Sequence, residues 1–240
     1  MDILYWNKLS ADIKHEDTTK QFFGKYLWRL VVLAPGARIL LAKFSTIEQA
    51  IEHRALIRQN YSWASSWRKH NSIDDINIDL LKDLQTVKTK YGSIIRTRIE
   101  EPWMQIYSED EATLKLIAEE FDPAFRANFI SVSGPADSEA EELLRSGAII
   151  RCKDIEFDYK VILKDGRYNK ETKQRMLQYL DGLGNDVKLS KGCREMLLKT
   201  YPSMWNVFFY TKDPKIVTFL NLINPGIVSN IHKLVHLDYK

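Results

Sequence analysis

From Lys25 to Leu33 the chain reads KYLWRLVVL, an aromatic and β-branched run that closes on Pro35-Gly36. Such a run bounded by a turn signal predicts a strand. Ser45-Thr-Ile-Glu48 is a capping box, in which the Ser hydroxyl and the Glu carboxylate satisfy free N–H groups at a helix start, so a helix is expected over about 46–59. Ile76, Leu80, Leu84 and Val87 recur at helical spacing and predict a second helix over 76–91. Strands follow at 93–100 and 103–107, joined at a Glu-Pro hairpin. Ser108-Glu-Asp-Glu111 opens a helix to about 120, and a strand is expected at 128–133.

The order strand, helix, strand, strand, helix, strand then comes a second time. A strand is expected at 155–164, and Asn169 caps a helix to about 181. A short extended piece at 186–189 precedes a helix capped by Ser190. A strand at 204–210 leads to Asp213-Pro214, an N-cap with Pro at the first helical position. A strand at 229–237 ends the second half. PWMQIYSEDEATLKLIAEEFDPAFRANFISV (102–132) and MWNVFFYTKDPKIVTFLNLINPGIVSNIHKLV (204–235) align with one insertion and one deletion. The alignment sets Trp103 on Trp205, Tyr107 on Tyr210, Asp110 on Asp213, Pro123 on Pro225 and Asn128 on Asn230. An internal duplication is therefore expected.

The expected fold class is α+β, with two tandem ferredoxin-like (βαββαβ) copies, the first carrying a helical and loop insertion. The expected divisions are an N-terminal extension at 1–24, a first copy at 25–135, a linker helix at 136–148 and a second copy at 149–240. The plan resembles tandem RNA-recognition-motif domains and, in architecture, the double-ferredoxin CRISPR RNA-processing proteins. PWMQIYS and MWNVFFYT lack the Gly of the RNA-recognition-motif signature, and PGIVSN stands where the CRISPR family has a glycine-rich loop. The similarity is one of plan.

Composition narrows function by exclusion. The 240 residues are 45% hydrophobic and 28% charged, enough apolar material for a full core. A net charge of +3 is too small to require a polyanionic partner, so any such case rests on local patches. Cys152 and Cys193 form no CxxC or zinc-spaced cluster and are expected as reduced thiols. The N-terminus lacks a signal-peptide pattern, and no run approaches the ~20 apolar residues of a membrane helix. A cytoplasmic location, or the host cytoplasm for a viral chain, with no membrane partner, no cofactor and no metal, is the expectation. Phosphate-loop, dinucleotide and nucleophile-elbow motifs are missing from the sequence.

One stretch stands apart. RALIRQNYSWASSWRKHNS (54–72) contains no acidic residue. Arg54, Arg58, Arg68 and Lys69 alternate there with Tyr61, Trp63 and Trp67, inside the insertion that the second copy lacks. Cations hold a phosphate backbone and aromatic rings stack bases, so the pattern suits a single strand. Lys88, Lys90, Arg96 and Arg98 extend the cationic set. On the sheet, Trp28, Trp103 and Tyr107 are expected to share an open face with Arg96 and Arg98. The second copy places Glu156 and Asp158 on the corresponding face, which favours the first copy. The resulting expectation is a non-catalytic protein binding single-stranded RNA or DNA. One rival is an interaction or structural protein whose aromatic faces bury a protein partner or a second copy; a composition rich in Asn, Ile, Lys and Tyr points this rival toward a virus. Another is a metal-independent ribonuclease using His53 or His70 with Arg58 or Lys69.

Overall fold

The first helix is fixed by its cap. Asp2 accepts the Tyr5 N–H at 3.1 Å and starts α1 (Ile3–Leu9), whose Trp6 is fully buried and donates its indole N–H to Glu111 at 3.0 Å. The computed structural model describes residues 1–41, 46–52, 76–100, 102–153 and 156–237. They divide into two units, Met1–Glu142 and Leu143–Lys240.

In the first unit α1 is followed by β1 (Lys14–Asp17), β2 (Trp28–Leu33), a 3-10 turn at Ala37–Leu41 and helical residues 47–52. Then come α2 (Ile78–Tyr91), β3 (Arg96–Glu100), β4 (Trp103–Ser108), α3 (Glu111–Glu120), β5 (Phe129–Gly134) and α4 (Ser138–Arg145), the last of which spans the division. Side-chain caps set the starts. Asn77 accepts the Leu80 N–H for α2, and Asp110 accepts the Thr113 N–H for α3. Leu80, Leu84 and Val87 bury the expected face of α2. The strand order is β1-β5-β2-β4-β3, with β1 parallel to β5 and the remaining pairs antiparallel. Trp28, Leu30 and Val32 of β2 and Met104 and Ile106 of β4 are buried on the face that α3 covers.

The second unit contains β6 (Ile149–Arg151), β7 (Tyr159–Leu163), β8 (Gly166–Arg167), α5 (Lys170–Gly182) and β9 (Val187–Leu189). It continues through α6 (Lys191–Leu198), β10 (Ser203–Met204), β11 (Phe208–Thr211), α7 (Ile216–Ile223) and β12 (Val228–His236). Its main sheet has the order β6-β12-β7-β11-β9, with β6 parallel to β12 and the rest antiparallel; β8 and β10 pair separately. Val161, Leu163 and Phe209 meet Met176, Leu180, Cys193, Leu197, Ile216 and Leu220 in one core. Asn169 and Ser190 cap α5 and α6 as expected, accepting from Thr172 and Cys193. Lys173, 1% exposed, donates from Nζ to the Lys199 and Tyr201 carbonyls at 2.6 and 2.9 Å. Burial pushes its ammonium below the usual 10.5.

The fold is mixed α+β with two five-stranded mixed sheets. Neither main sheet has the plain four-stranded ferredoxin order that was expected: each carries a fifth, parallel strand at one edge. In the first unit that strand is Lys14–Asp17, within residues 1–24. Asp213 also departs from expectation. It accepts the Lys215 N–H at 2.8 Å, while the helix begins at Ile216. Among the described residues no helix is long and apolar enough to cross a membrane, and no group of three or more His, Cys, Asp or Glu could hold a metal.

Candidate binding faces of the two sheets

Directly paired residues on neighbouring strands project from the same face. In the first sheet the register pairs Arg29 with Tyr107, Tyr107 with Arg96, Val31 with Gln105, Gln105 with Arg98 and Leu33 with Trp103. Tyr107, Gln105, Trp103, Arg96 and Arg98 therefore share the face turned away from α3, as expected. Trp28 does not. It lies one residue out of phase, 4% exposed, with its ring against Gly134. This corrects its assignment to the binding face: strand parity puts Arg29 there instead.

The outer face is partly covered. Residues 22–25 make a tight turn in which Phe23 and Gly24 have φ of 54° and 69°, the sense that favours glycine. The Phe22 and Phe23 rings lie 5.2 and 4.9 Å from Tyr107. The Arg96 guanidinium stands 3.9 Å over Phe23, and Arg29 stands 5.1 Å over Phe22. Tyr107 is consequently buried, and burial raises its hydroxyl above the usual 10. It donates to Gln105, which donates to Glu100 at 2.8 Å, and Glu100 pairs with Arg98. Arg29 is held by Glu16 at 2.6 Å. Arg96, Arg98 and Trp103 remain exposed at the β3 edge. Among the described residues Arg96 has no carboxylate partner.

The α2 lysines are engaged elsewhere. Lys88 donates to the Leu40 carbonyl at 2.7 Å, and burial lowers its ammonium. Lys90 pairs with Glu120 at 2.5 Å, a bond that raises the lysine and lowers the carboxylate. Both lie on α2 and are engaged by partners distant in sequence. Arg54, Arg58, Tyr61, Trp63, Trp67, Arg68 and Lys69, with His53 and His70, lie outside the described residues.

The second sheet holds a row that the sequence did not advertise. β7 begins at Tyr159, so Glu156 and Asp158 precede it, and its outer face is set by Lys160 and Ile162. Tyr210 pairs with Lys160 on one side and Lys188 on the other, and His232 extends the row beyond Lys160. Lys160 stands 3.9 Å over Phe208, which makes an edge contact with Tyr210. Phe157 stacks 6.3 Å from Tyr210, and Lys212 above it pairs with Glu156 at 3.0 Å. His232 Nδ1 is 2.9 Å from the Gly147 carbonyl, which fixes Nδ1 as the donor.

The two sheets thus share one row at equivalent places: Arg96–Tyr107–Arg29 and Lys188–Tyr210–Lys160. The signal in the sequence was the Tyr107–Tyr210 match; the flanking cations emerge only from register. Comparison with protein-family models, with curated proteins and with solved structures finds no match to this chain.

Proposed function

We propose that the chain is a non-catalytic binder of single-stranded RNA or DNA, built as two ferredoxin-like copies that each gained one parallel edge strand. The observation that carries the reading is the exposed β3–β4 edge of the first sheet, where Arg96 and Arg98 stand beside the 44% exposed Trp103. Cations at that spacing hold phosphates, and an exposed indole stacks a base. The Arg96 guanidinium already stands over an aromatic ring, the kind of contact it would make with a base. The composition of the acid-free stretch 54–72 suits the same ligand.

Anisotropy of labelled single-stranded RNA and DNA at two salt concentrations tests the reading. Each lost phosphate contact flattens the log–log salt dependence by about 0.7 for a single strand, so Arg96→Ala/Arg98→Ala should flatten it by about 1.4. Trp103→Ala should cost about 1–3 kcal/mol without changing the slope. Arg68→Ala/Lys69→Ala reports on the inserted stretch in the same way. Absence of binding at low salt would refute the proposal.

A second reading has its own observation. On α7, whose residues are apolar except Thr218 and Asn221, Phe219 and Leu222 are 57% and 74% exposed. An uncovered helix face of this kind suits a protein partner. It predicts association that survives ~200 mM salt, whereas phosphate binding weakens steeply there.

A further inference from the structure

We infer that Arg96 and Tyr107 form a stacking subsite for one nucleobase and that Phe23 fills it from within the chain, so that a single strand reaches this part of the first sheet by displacing the Phe23 ring. The inference rests on the proposed function and deepens it at the same face. The ring is held as a base would be. The Arg96 guanidinium stands over it at 3.9 Å, and the Tyr107 ring meets it at 4.9 Å and 90°. Both groups are presented by the sheet, where the register pairs Arg96 of β3 with Tyr107 of β4. Guanidinium planes and aromatic rings are the groups that receive unstacked bases, and Arg keeps N–H donors at its edge for a phosphate.

Three observations make Phe23 the displaceable part. Its φ of 54° lies in the left-handed region, which a bulky side chain adopts only at a cost. The residue is 44% exposed, so much of its apolar surface gains nothing from the contact. The turn is also bonded to itself. The Phe22 N–H reaches the Tyr26 carbonyl at 2.8 Å, and the Lys25 and Tyr26 N–H groups reach the Phe22 carbonyl at 3.1 and 3.0 Å. Bonding to β4 begins at Leu27, whose N–H donates to the Ser108 carbonyl, so Phe23 can swing out without breaking that bond. The tip is tied by an exposed Lys25–Glu109 pair at 2.6 Å, a contact of small worth. Register places two acids on this face, and both are engaged: Glu16 by Arg29 and Ser133, Glu100 by Arg98 and Gln105. Trp103 lies four residues from Tyr107 on the same face of β4, ~14 Å along the strand, so the subsite and the exposed indole take separate bases.

Anisotropy of a labelled single strand at low salt compares the wild type with Phe23→Gly, which keeps the left-handed backbone and removes the ring. A ring that fills the subsite about nine-tenths of the time lowers the apparent affinity about tenfold, so its removal should tighten binding by that factor. The salt dependence should keep its slope, because no phosphate contact changes. An abasic strand of the same length should show no gain. Phe23→Gly should also bring no gain in an Arg96→Ala background, where the subsite has lost its guanidinium. Phe23→Leu keeps an apolar side chain without an aromatic face; it should tighten binding by a smaller factor, and it reads the same effect if glycine loosens the turn. Equal or weaker binding in both Phe23 variants overturns the inference while the proposed function stands, as does an equal gain on the abasic strand. No binding by the wild type or by either variant overturns both.

Discussion

Lys173 offers the sharpest check on how the second unit is held together. Its ammonium sits inside the fold and donates to two carbonyls at the end of α6, at 2.6 and 2.9 Å. Replacing it with Met keeps the stem and removes the charge. Two opposing effects follow. The desolvation of an ammonium is relieved, which favours the variant by a few kcal/mol at most. Against that, two charge-assisted bonds worth about 1.5–3 kcal/mol each disappear. The Lys199 and Tyr201 residues are exposed, so water recovers part of the loss. A net destabilisation of about 2 kcal/mol is expected for Lys173→Met, and about 4 for Lys173→Ala, which adds a cavity. Cys193 supplies the assay. It is buried beside this helix pair, with its thiol pushed up to about 12 by burial, while Cys152 is exposed. A thiol reagent should therefore label Cys152 at once and Cys193 only when the second unit opens. In mild urea, 2 kcal/mol should speed Cys193 labelling by about 30-fold, at tenfold per 1.4 kcal/mol. Equal or slower labelling in Lys173→Met would show that the ammonium is a net cost and that its two bonds do not hold α6.

Alkaline titration checks the same group by a different route. Because the Lys173 ammonium is lowered in the fold, the unfolded chain binds more protons between the folded value and 10.5, so stability rises with pH there. The urea midpoint of the wild type should gain on that of Lys173→Met across this window; parallel midpoints would show an unperturbed lysine. In the first unit, Gly134→Ala drives a Cβ into the Trp28 ring at the end of β5, where the backbone of the strand cannot retreat. A loss of at least 2–3 kcal/mol is expected by urea unfolding, and a loss under 0.5 would mean that Trp28 has room to move.

The sequence reveals those features that local chemistry decides. Asn169 and Ser190 cap their helices as expected because a short polar side chain reaches an N–H three residues on, a relation contained in four residues; Asn77 and Asp110 cap theirs in the same way, where starts at Ile76 and Ser108 were expected. Ser108-Glu-Asp-Glu111 shows the limit of that reach: the cap is Asp110, and Ser108 ends β4. β1 was hidden because KHED has no apolar alternation. It is a polar edge strand, held by backbone pairing to β5 and by the Glu16 contacts to Arg29 and Ser133. β6 is three residues long, too short for an alternating pattern, and lies between the expected linker helix and the expected strand at 155–164. Aromatic residues advertise importance but not direction. Trp28 and Tyr107 look alike in sequence, yet strand phase sends one to the core and the other to the outer face. The partners of the α2 lysines were hidden for a related reason. Lys88 and Lys90 are engaged by Leu40 and Glu120, 48 and 30 residues away, partners that no local pattern can reveal. The Lys188–Tyr210–Lys160 row needed the registers of three strands before it existed at all.

The parallel edge strands also set the order in which the chain can finish folding. Glu16 of β1 meets Ser133 of β5 across 117 residues, and His232 of β12 reaches back to Gly147 across 85. On a ribosome emitting about 5–20 residues per second, β1 is exposed for several seconds before β5 exists to receive it. It waits as KHED, charged and without apolar side chains, a poor template for pairing with another nascent chain. The sequence that made β1 hard to recognise is the one that lets it stay soluble while unpaired, and the long closure makes each unit's last strand, β5 or β12, the rate-setting arrival.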